Sequence, residues 1–427
     1  MTFRSKFILV VLSAAIALYA IIGGWFATRA QQGNDPGAQL RIFESVLYHI
    51  QNDYVDEPDM SKVRAGALRG LAYGLDPYST YLTAEQVQRY RAGDDKEKVG
   101  IGVELSQVAS WLYVIAPVKG GPAEQAGVRS GDIIEYIDGR ATRDISLYEA
   151  QQLLKGAPGT EVKLRVLRAG SSPLQLTVKR SPVRVLVAEA RLETGKIGII
   201  KVNSLSEGEA ADIRARLEDL VKQGARKLVL DLRGVAGGSL TEAVRVANYF
   251  IGDGTLAQTV GRNNRTLKTF QADPQLKLFD GPAVVLIDRW TAGAAEVIAS
   301  AFIERKRGDV VGEKSFGAGA EQELFTLRGG DGLLLTTVKW ASSSGKPFLG
   351  AGVQPTVEVK RPELAEAIDP DDLTGNDTDE VVRPQDGNRP QNAPETGPAR
   401  PQPEDMQLKR ALEILRAKPE GSARPTA

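Results

Sequence analysis

The sequence predicts a multidomain α+β protein with an N-terminal helical region, a small glycine-punctuated domain and a layered α/β core. Three observations predict it. Leu40, Phe43, Val46, Leu47 and Ile50 recur at the spacing of one helix face. Between residues 97 and 182 glycines break short apolar runs, most densely in Gly121-Pro122-Ala123 and Ala126-Gly127-Val128-Arg129-Ser130-Gly131-Asp132. From residue 183 onward, buried-type strands such as Lys227-Leu228-Val229-Leu230-Asp231 alternate with amphipathic helices, as a layered core requires.

With 427 residues, 42% of them hydrophobic, the chain is long enough for two or three domains with sizeable cores. Its 54 basic and 54 acidic residues balance, so nothing directs it to nucleic acid. The absence of cysteine excludes a disulfide framework, thiolate catalysis and cysteine metal sites, and fits an extracytoplasmic compartment. The single histidine, His49, lies in a helically spaced stretch, where a surface or core place on a helix is expected rather than a catalytic one. One imidazole cannot build a multi-histidine zinc site, and no cofactor is expected.

Residues 1–30 carry Arg4 and Lys6, then an apolar run from Phe7 to Ala27 broken only by Ser13 and glycines. The run is long enough to span a bilayer. Thr28-Arg29-Ala30 is a poor cleavage site, so we read an uncleaved signal anchor rather than a cleaved signal. The leading positive charges place the bulk of the chain outside the cytoplasm. That means the bacterial inner membrane and periplasm, or secretion if the signal is cleaved.

Residues 36–95 read as helical, with a second helix from about Met60 to Gly74 and a turn over Leu75-Asp76-Pro77-Tyr78-Ser79-Thr80-Tyr81-Leu82. In residues 97–182, Gly100-Ile101-Gly102-Val103 opens a strand, and a helix is expected from about Ser146 to Lys155. In residues 183–362, strands are expected over Ile197 to Val202 and Lys227 to Arg233, and helices over Glu207 to Gln223 and Thr241 to Phe250. Glu323 to Arg328 and Leu333 to Trp340 form a hairpin through Gly329-Gly330-Asp331-Gly332. Residues 363–427 begin as a Pro/Asp/Asn/Gly-rich disordered linker. They end in a short amphipathic helix, Met406 to Ala417, that docks on the core or on a partner.

The chemistry-bearing stretch is Ile287 to Gln322. A strand ends at Asp288 in the small-residue turn Thr291-Ala292-Gly293-Ala294-Ala295-Glu296, and a helix follows to Lys306. Then come a short strand and the loop Ser315-Phe316-Gly317-Ala318-Gly319. A tight strand-to-helix turn is where an α/β protein can hold a nucleophile and aim amide N–H groups at an oxyanion.

These motifs resemble the C-terminal processing (tail-specific) peptidases, serine–lysine peptidases with an internal PDZ domain. The resemblance covers most of residues 38–360. It implies a PDZ domain at 97–182, whose loop Gly100, Ile101, Gly102 and Val103 captures a peptide's C-terminal carboxylate while the peptide adds as a strand. It implies a layered α/β (crotonase-like) peptidase core at 183–362. The family's L-D-P-H-S-x-Y-L signature corresponds to residues 75–82, and its D-L-R-N-N-P-G-G segment to residues 231–238. Its oxyanion amides correspond to Gly237 or Gly238 with Ala294.

The departure lies at the dyad. In the family's S-A-S-A-S-E turn the middle serine is the nucleophile; Glu296 anchors that motif here and puts Gly293 at its position. In T-F-G-K-G-x-x-Q the lysine is the base; Gly317, Gly319 and Gln322 anchor that motif and put Ala318 at its position. Glycine and alanine can supply neither nucleophile nor base. The expectation is a pseudopeptidase that binds protein C-termini or unfolded peptides. It would form a homo-oligomer, or a mixed oligomer with an active relative. The alternatives are an active serine-type endopeptidase and a non-catalytic envelope scaffold. A relocated nucleophile would have to use Thr291 or Ser315 with Lys314, and Trp290 is expected to crowd the cleft.

Overall fold

The computed structural model describes residues 18–19, 36–93, 99–361, 368, 373 and 404–419. The N-terminal apolar run lies outside them apart from Leu18 and Tyr19. No helix among the described residues is long and apolar enough to cross a membrane. The chain divides into two units, residues 1–68 and 69–427. In the first, helix α1 (Pro36–Asp53) forms as its periodicity predicts, yet Leu40, Ile42, Val46 and Tyr48 along it are exposed. His49 is exposed too, with Nδ1 2.5 Å from Asp53 one turn on. Helix α2 (Met60–Tyr73) begins in this unit and ends in the next.

The second unit holds three sheets. Strand β1 (Thr80–Leu82) corrects the reading of residues 75–82 as turn alone. Only the first half turns, around Asp76, whose Oδ1 accepts the amides of Tyr78 and Ser79. Helix α3 (Ala84–Ala92) follows, capped by Thr83 and closed by Gly93 at φ 61°.

The glycine-punctuated domain is a six-stranded sheet: β2 (Val103–Val108), β3 (Trp111–Pro117), β4 (Ile133–Ile137), β5 (Arg140–Ala141), β6 (Glu161–Leu167) and β7 (Leu174–Lys179). Along the path β2-β3-β4-β6-β7, β2 is an edge. Helix α4 (Pro122–Gln125) is one turn, and helix α5 (Leu147–Leu154) has a capping box between Ser146 and Glu149. Leu147, Ala150 and Leu154 bury its apolar face against Ile101, Leu105 and Leu112.

The core sheet orders β8 (Glu189–Glu193), β9 (Ile197–Lys201), β10 (Lys227–Asp231), β13 (Ala283–Ile287), β14 (Asp309–Gly312) and β17 (Val357–Glu358) side by side. All its pairs are parallel except β8–β9. Its continuous apolar strands are buried on both faces, as parallel strands must be. Leu228, Leu230, Val285 and Ile287 point into one cluster with helices α6 (Glu209–Lys222), α7 (Leu240–Asn248) and α8 (Ala294–Glu304). Val229, Val284, Leu286 and Val311 point the other way, against Ala411 and Leu415 of helix α9 (Met406–Ala417). Between these elements β11 (Thr255–Val260) and β12 (Thr266–Gln271) join β15 (Ala320–Thr326), β16 (Gly332–Ala341) and β1 in an antiparallel sheet.

The terminal helix thus docks on the core and is fastened at both ends. The buried Lys227 Nζ donates to the carbonyls of Leu415 (2.7 Å) and Lys418 (2.5 Å), capping its C-terminus. Asp405, its N-cap, takes a bidentate pair from Arg233, with both contacts at 2.8 Å. Of the stretch read as disordered linker, Ile368 and Leu373 are buried, and Tyr113 donates to the Ile368 carbonyl at 3.1 Å. The rest of that stretch lies outside the described residues. Because α9 covers the central strands of that sheet face, Leu415→Ala is expected to lower stability by about 2–5 kcal/mol. Denaturant unfolding measures that loss.

Candidate functional site

Three loops leave the C-terminal ends of adjacent parallel strands, where open α/β sheets place their sites. The first follows β10 and contains Gly234, Gly237 and Gly238, all at positive φ. The second, Asp288 to Gly293, follows β13. The third, Glu313 to Gly319, follows β14.

Asp288 ties the first two together. Its Oδ1 accepts the amides of Gly234 (2.9 Å) and Trp290 (3.2 Å), and Oδ2 accepts Arg361 at 3.0 Å. The Gly234-Val235-Ala236 turn is therefore held firmly although the family's Asn-Asn-Pro is gone. The Thr291 hydroxyl is buried between Asp288 and the Leu232 carbonyl, 3.0 and 3.1 Å away, and accepts the Asp288 amide at 2.9 Å. It is a turn brace. Trp290 lines a polar pocket with Arg233, Arg361 and Asp405, so it does not crowd the cleft as expected. The motif I-D-R-W-T, an Asp with Thr three residues on, was the available sign of this brace.

Gly293 lies in the turn before α8 at φ 63°, ψ −115°, a backbone few side chains tolerate. Its amide donates to Glu296 Oε2 at 2.8 Å. Glu296 is fully buried and gathers the third loop as well. Its Oε1 accepts the Ser315 hydroxyl (2.5 Å) and the Gly317 amide (2.9 Å), and its Oε2 accepts the Ala318 amide at 2.8 Å. One carboxylate thus spaces positions 293 and 318. Burial pushes the Glu296 carboxyl up to about 7 against the pull of these four donors. Ser315 is also a strut: its Oγ accepts the Val353 amide at 2.7 Å. Lys314 is exposed.

Of the expected oxyanion donors, the Ala294 amide is engaged within the site. The Ala294 amide donates to the Gly237 carbonyl at 3.1 Å, and the Ala292 amide donates to Val235 at 2.9 Å. Gly238 lies tight under Leu205, whose carbonyl would stand 2.8 Å from a Cβ there. Gln322 donates to Thr336 at 3.3 Å; Thr336 in turn reaches Asp76 at 3.0 Å, joining β15 to residues 75–82.

Ala318 faces apolar company. It is buried with Ala292, Ile368, Leu373 and the outer face of the glycine-rich domain, Trp111, Tyr113, Ile115, Ile133 and Leu167. Tyr113 stacks on Phe316 with centroids 5.9 Å apart and planes 17° apart. On the other side of β2 a cleft of about 540 Å³ runs from Gly100–Val103 and α5 to Gly234, Ala236 and Gly238. Ile101 buries its side chain in the domain core, and Gly102 at φ 72° brings its backbone to the cleft wall. Sequence reasoning missed two residues here, Glu104 and Tyr78. Burial pushes both upward, and the charges of Glu104 and Glu296 push Tyr78 further.

An edge-stranded domain with a glycine loop, set over a strand–turn–helix site in a layered α/β core, defines the class of PDZ-bearing serine peptidase folds. Residues 196–359 match peptidase family S41, and residues 113–168 match a PDZ domain. The carboxy-terminal processing protease CtpA of Bacillus subtilis is 31% identical over 363 residues, covering 84% of this chain and 78% of that one. A carboxy-terminal-processing protease of Bartonella bacilliformis is 30% identical over 386 residues, covering 88% of each. Among solved structures, a photosystem II D1 C-terminal processing protease superposes with a TM-score of 0.62 at 26% identity, covering 79% of this chain and 92% of that one. The chain belongs to the C-terminal processing protease family.

Two outcomes follow from Glu296. Glu296→Ala strands three amides and a hydroxyl and is expected to cost about 3 kcal/mol or more, read by denaturant unfolding. The folded state holds the Glu296 proton more tightly than the unfolded chain between about pH 4.5 and about 7. Stability therefore falls as pH rises through that window. Glu296→Gln flattens the profile, checked by unfolding at stepped pH.

Proposed function

We propose that this family member is a pseudopeptidase that recognises protein C-termini or unfolded peptides through its PDZ cleft without cleaving them. The observation that carries the reading is the pairing of Gly293 with Ala318 at the nucleophile and base positions. Neither residue can attack a carbonyl or accept a proton. Two further contacts support it. The Gly237 carbonyl occupies the Ala294 amide that an oxyanion would need. Ala318 packs in an apolar cluster where a lysine would bring a buried charge. The candidate substitutes, Thr291 and Ser315, are spent in structural hydrogen bonds.

The apolar run at residues 7–27 anchors the protein in the bacterial inner membrane, with its bulk in the periplasm. There it presents C-termini to an active relative, or regulates that relative through mixed oligomers. The protease names of its relatives favour a second reading, a working serine-type endopeptidase.

The test is the full chain with labelled peptides ending in apolar residues, binding and cleavage being read together. Binding without cleavage is expected. Cleavage by the unaltered protein overturns the reading in favour of the endopeptidase, and absence of both points to a scaffold. Gly293→Ser with Ala318→Lys is expected to remain inactive while the Gly237 carbonyl holds the Ala294 amide, and to lose stability by about 1–3 kcal/mol from the strained φ at 293 alone.

A further inference from the structure

One charged group in the cleft is not used by any contact described so far. Strand β2 turns Leu105 into the core of the PDZ domain, with Val103 packed against that core. Strand alternation then sends Glu104 to the opposite side, over the first loop of the peptidase-like core. There its Oε1 would stand 2.5 Å from a Cβ on Gly237, so the carboxylate lies directly against that glycine. Glu104 lines the cleft and makes no hydrogen bond or ion pair with any described residue. Burial alone pushes its carboxyl upward, with no neighbouring cation to hold it down.

The surroundings sharpen the point. Of the other carboxylates near Tyr78, Glu296 is saturated by its four donors and Asp76 accepts the amides of Tyr78 and Ser79. Position 318 carries an alanine, so the core supplies no cation there. The other charged side chain lining the cleft is Lys155, at the end of α5. Gly156 beside it pairs with Val99 through two hydrogen bonds of 2.9 and 3.0 Å, which sets Lys155 at the Gly100–Gly102 end. The cleft is therefore polarised: amides and a lysine at the loop end, an unpaired carboxylate further along β2.

We propose that Glu104 is a specificity-determining residue of the cleft, selecting peptides that carry a lysine or arginine shortly before an apolar C-terminus. This rests on the reading that the PDZ cleft binds C-termini. With the terminal carboxylate at Gly102, a ligand lying along β2 rises about 3.3 Å per residue. A long basic side chain roughly one to four residues before the end can then reach Glu104. Its ammonium or guanidinium would supply the cation the cleft lacks, in a partly desolvated setting where a charge-assisted bond is strong.

The test uses the full chain and fluorescence anisotropy with a matched peptide set. One peptide is neutral with an apolar terminus; others place a single lysine, or a single glutamate, at each upstream position. A lysine peptide is expected to bind about tenfold tighter than the neutral one, the ratio of one charge-assisted hydrogen bond. The glutamate peptides are expected to bind more weakly. Glu104→Gln, which keeps the shape, is expected to abolish the lysine preference, bringing the lysine and neutral peptides to the same affinity. Equal binding of neutral and lysine peptides, or a preference that survives Glu104→Gln, overturns the proposal while the C-terminus reading stands. Failure of every peptide to bind overturns both.

Discussion

The buried carboxylate of Glu296 is the constraint on which the site depends. It sits in the first turn of a helix that is apolar on nearly every face, and it accepts four hydrogen bonds from two loops. Such a group is costly to bury and is tolerated because each lone pair finds a donor. Its geometric effect is to hold the turn at Gly293 and the loop at Ala318 at a fixed separation. The two loops are therefore held together independently of the side chains at 293 and 318. The scaffold is enforced mainly by backbone amides, which any residue but proline supplies, with the Ser315 hydroxyl as the fourth donor.

The same loops also determine how the PDZ domain sits. With alanine at 318, the region beside Phe316 and Ala292 is apolar enough to accept Trp111, Tyr113 and Ile133 from the PDZ sheet. The two domains share one hydrophobic cluster, to which Ile368 and Leu373 also contribute. The free edge of β2 is left open to the cleft that the Gly234–Gly238 loop also lines. The glycine loop, β2 and the Gly234–Gly238 loop therefore line one cleft, with Glu104 between them.

Support for the site extends to the far face of the sheet. Arg233 lies between β10 and the Gly234 turn, and it pairs with both Asp231 (2.6 Å) and the N-cap Asp405 (2.8 Å). Asp288 binds Gly234 on one side and Arg361 on the other, and Arg361 reaches Gln407 of α9 at 2.9 Å. The terminal helix, which looks dispensable in sequence, is thus bound into the strand ends that carry the loops.

Much was legible in the sequence. Apolar runs such as Leu228–Leu230 and Ala283–Ile287 specify strands buried on both faces, because no polar residue interrupts them. The capping serine at 146, the glycines at 100, 102, 317 and 319, and the spacing from Gly293 to Ala318 fixed elements and motifs by local chemistry alone. The α9 helix was visible as a 3.6-residue period, but not which surface it covers, since an amphipathic face does not name its partner. What only the tertiary structure decided was the direction of individual polar groups. Whether the Ala294 amide meets an oxyanion or the Gly237 carbonyl is one peptide's orientation, settled by contacts across more than fifty residues. Thr291 and Ser315 looked like spare nucleophiles until their partners Leu232, Asp288, Glu296 and Val353 were brought in from other elements. Nothing local in the sequence marks Glu104; packing lays it over Gly237. Local sequence determines which elements form; long-range packing determines where each donor, acceptor and charge is spent.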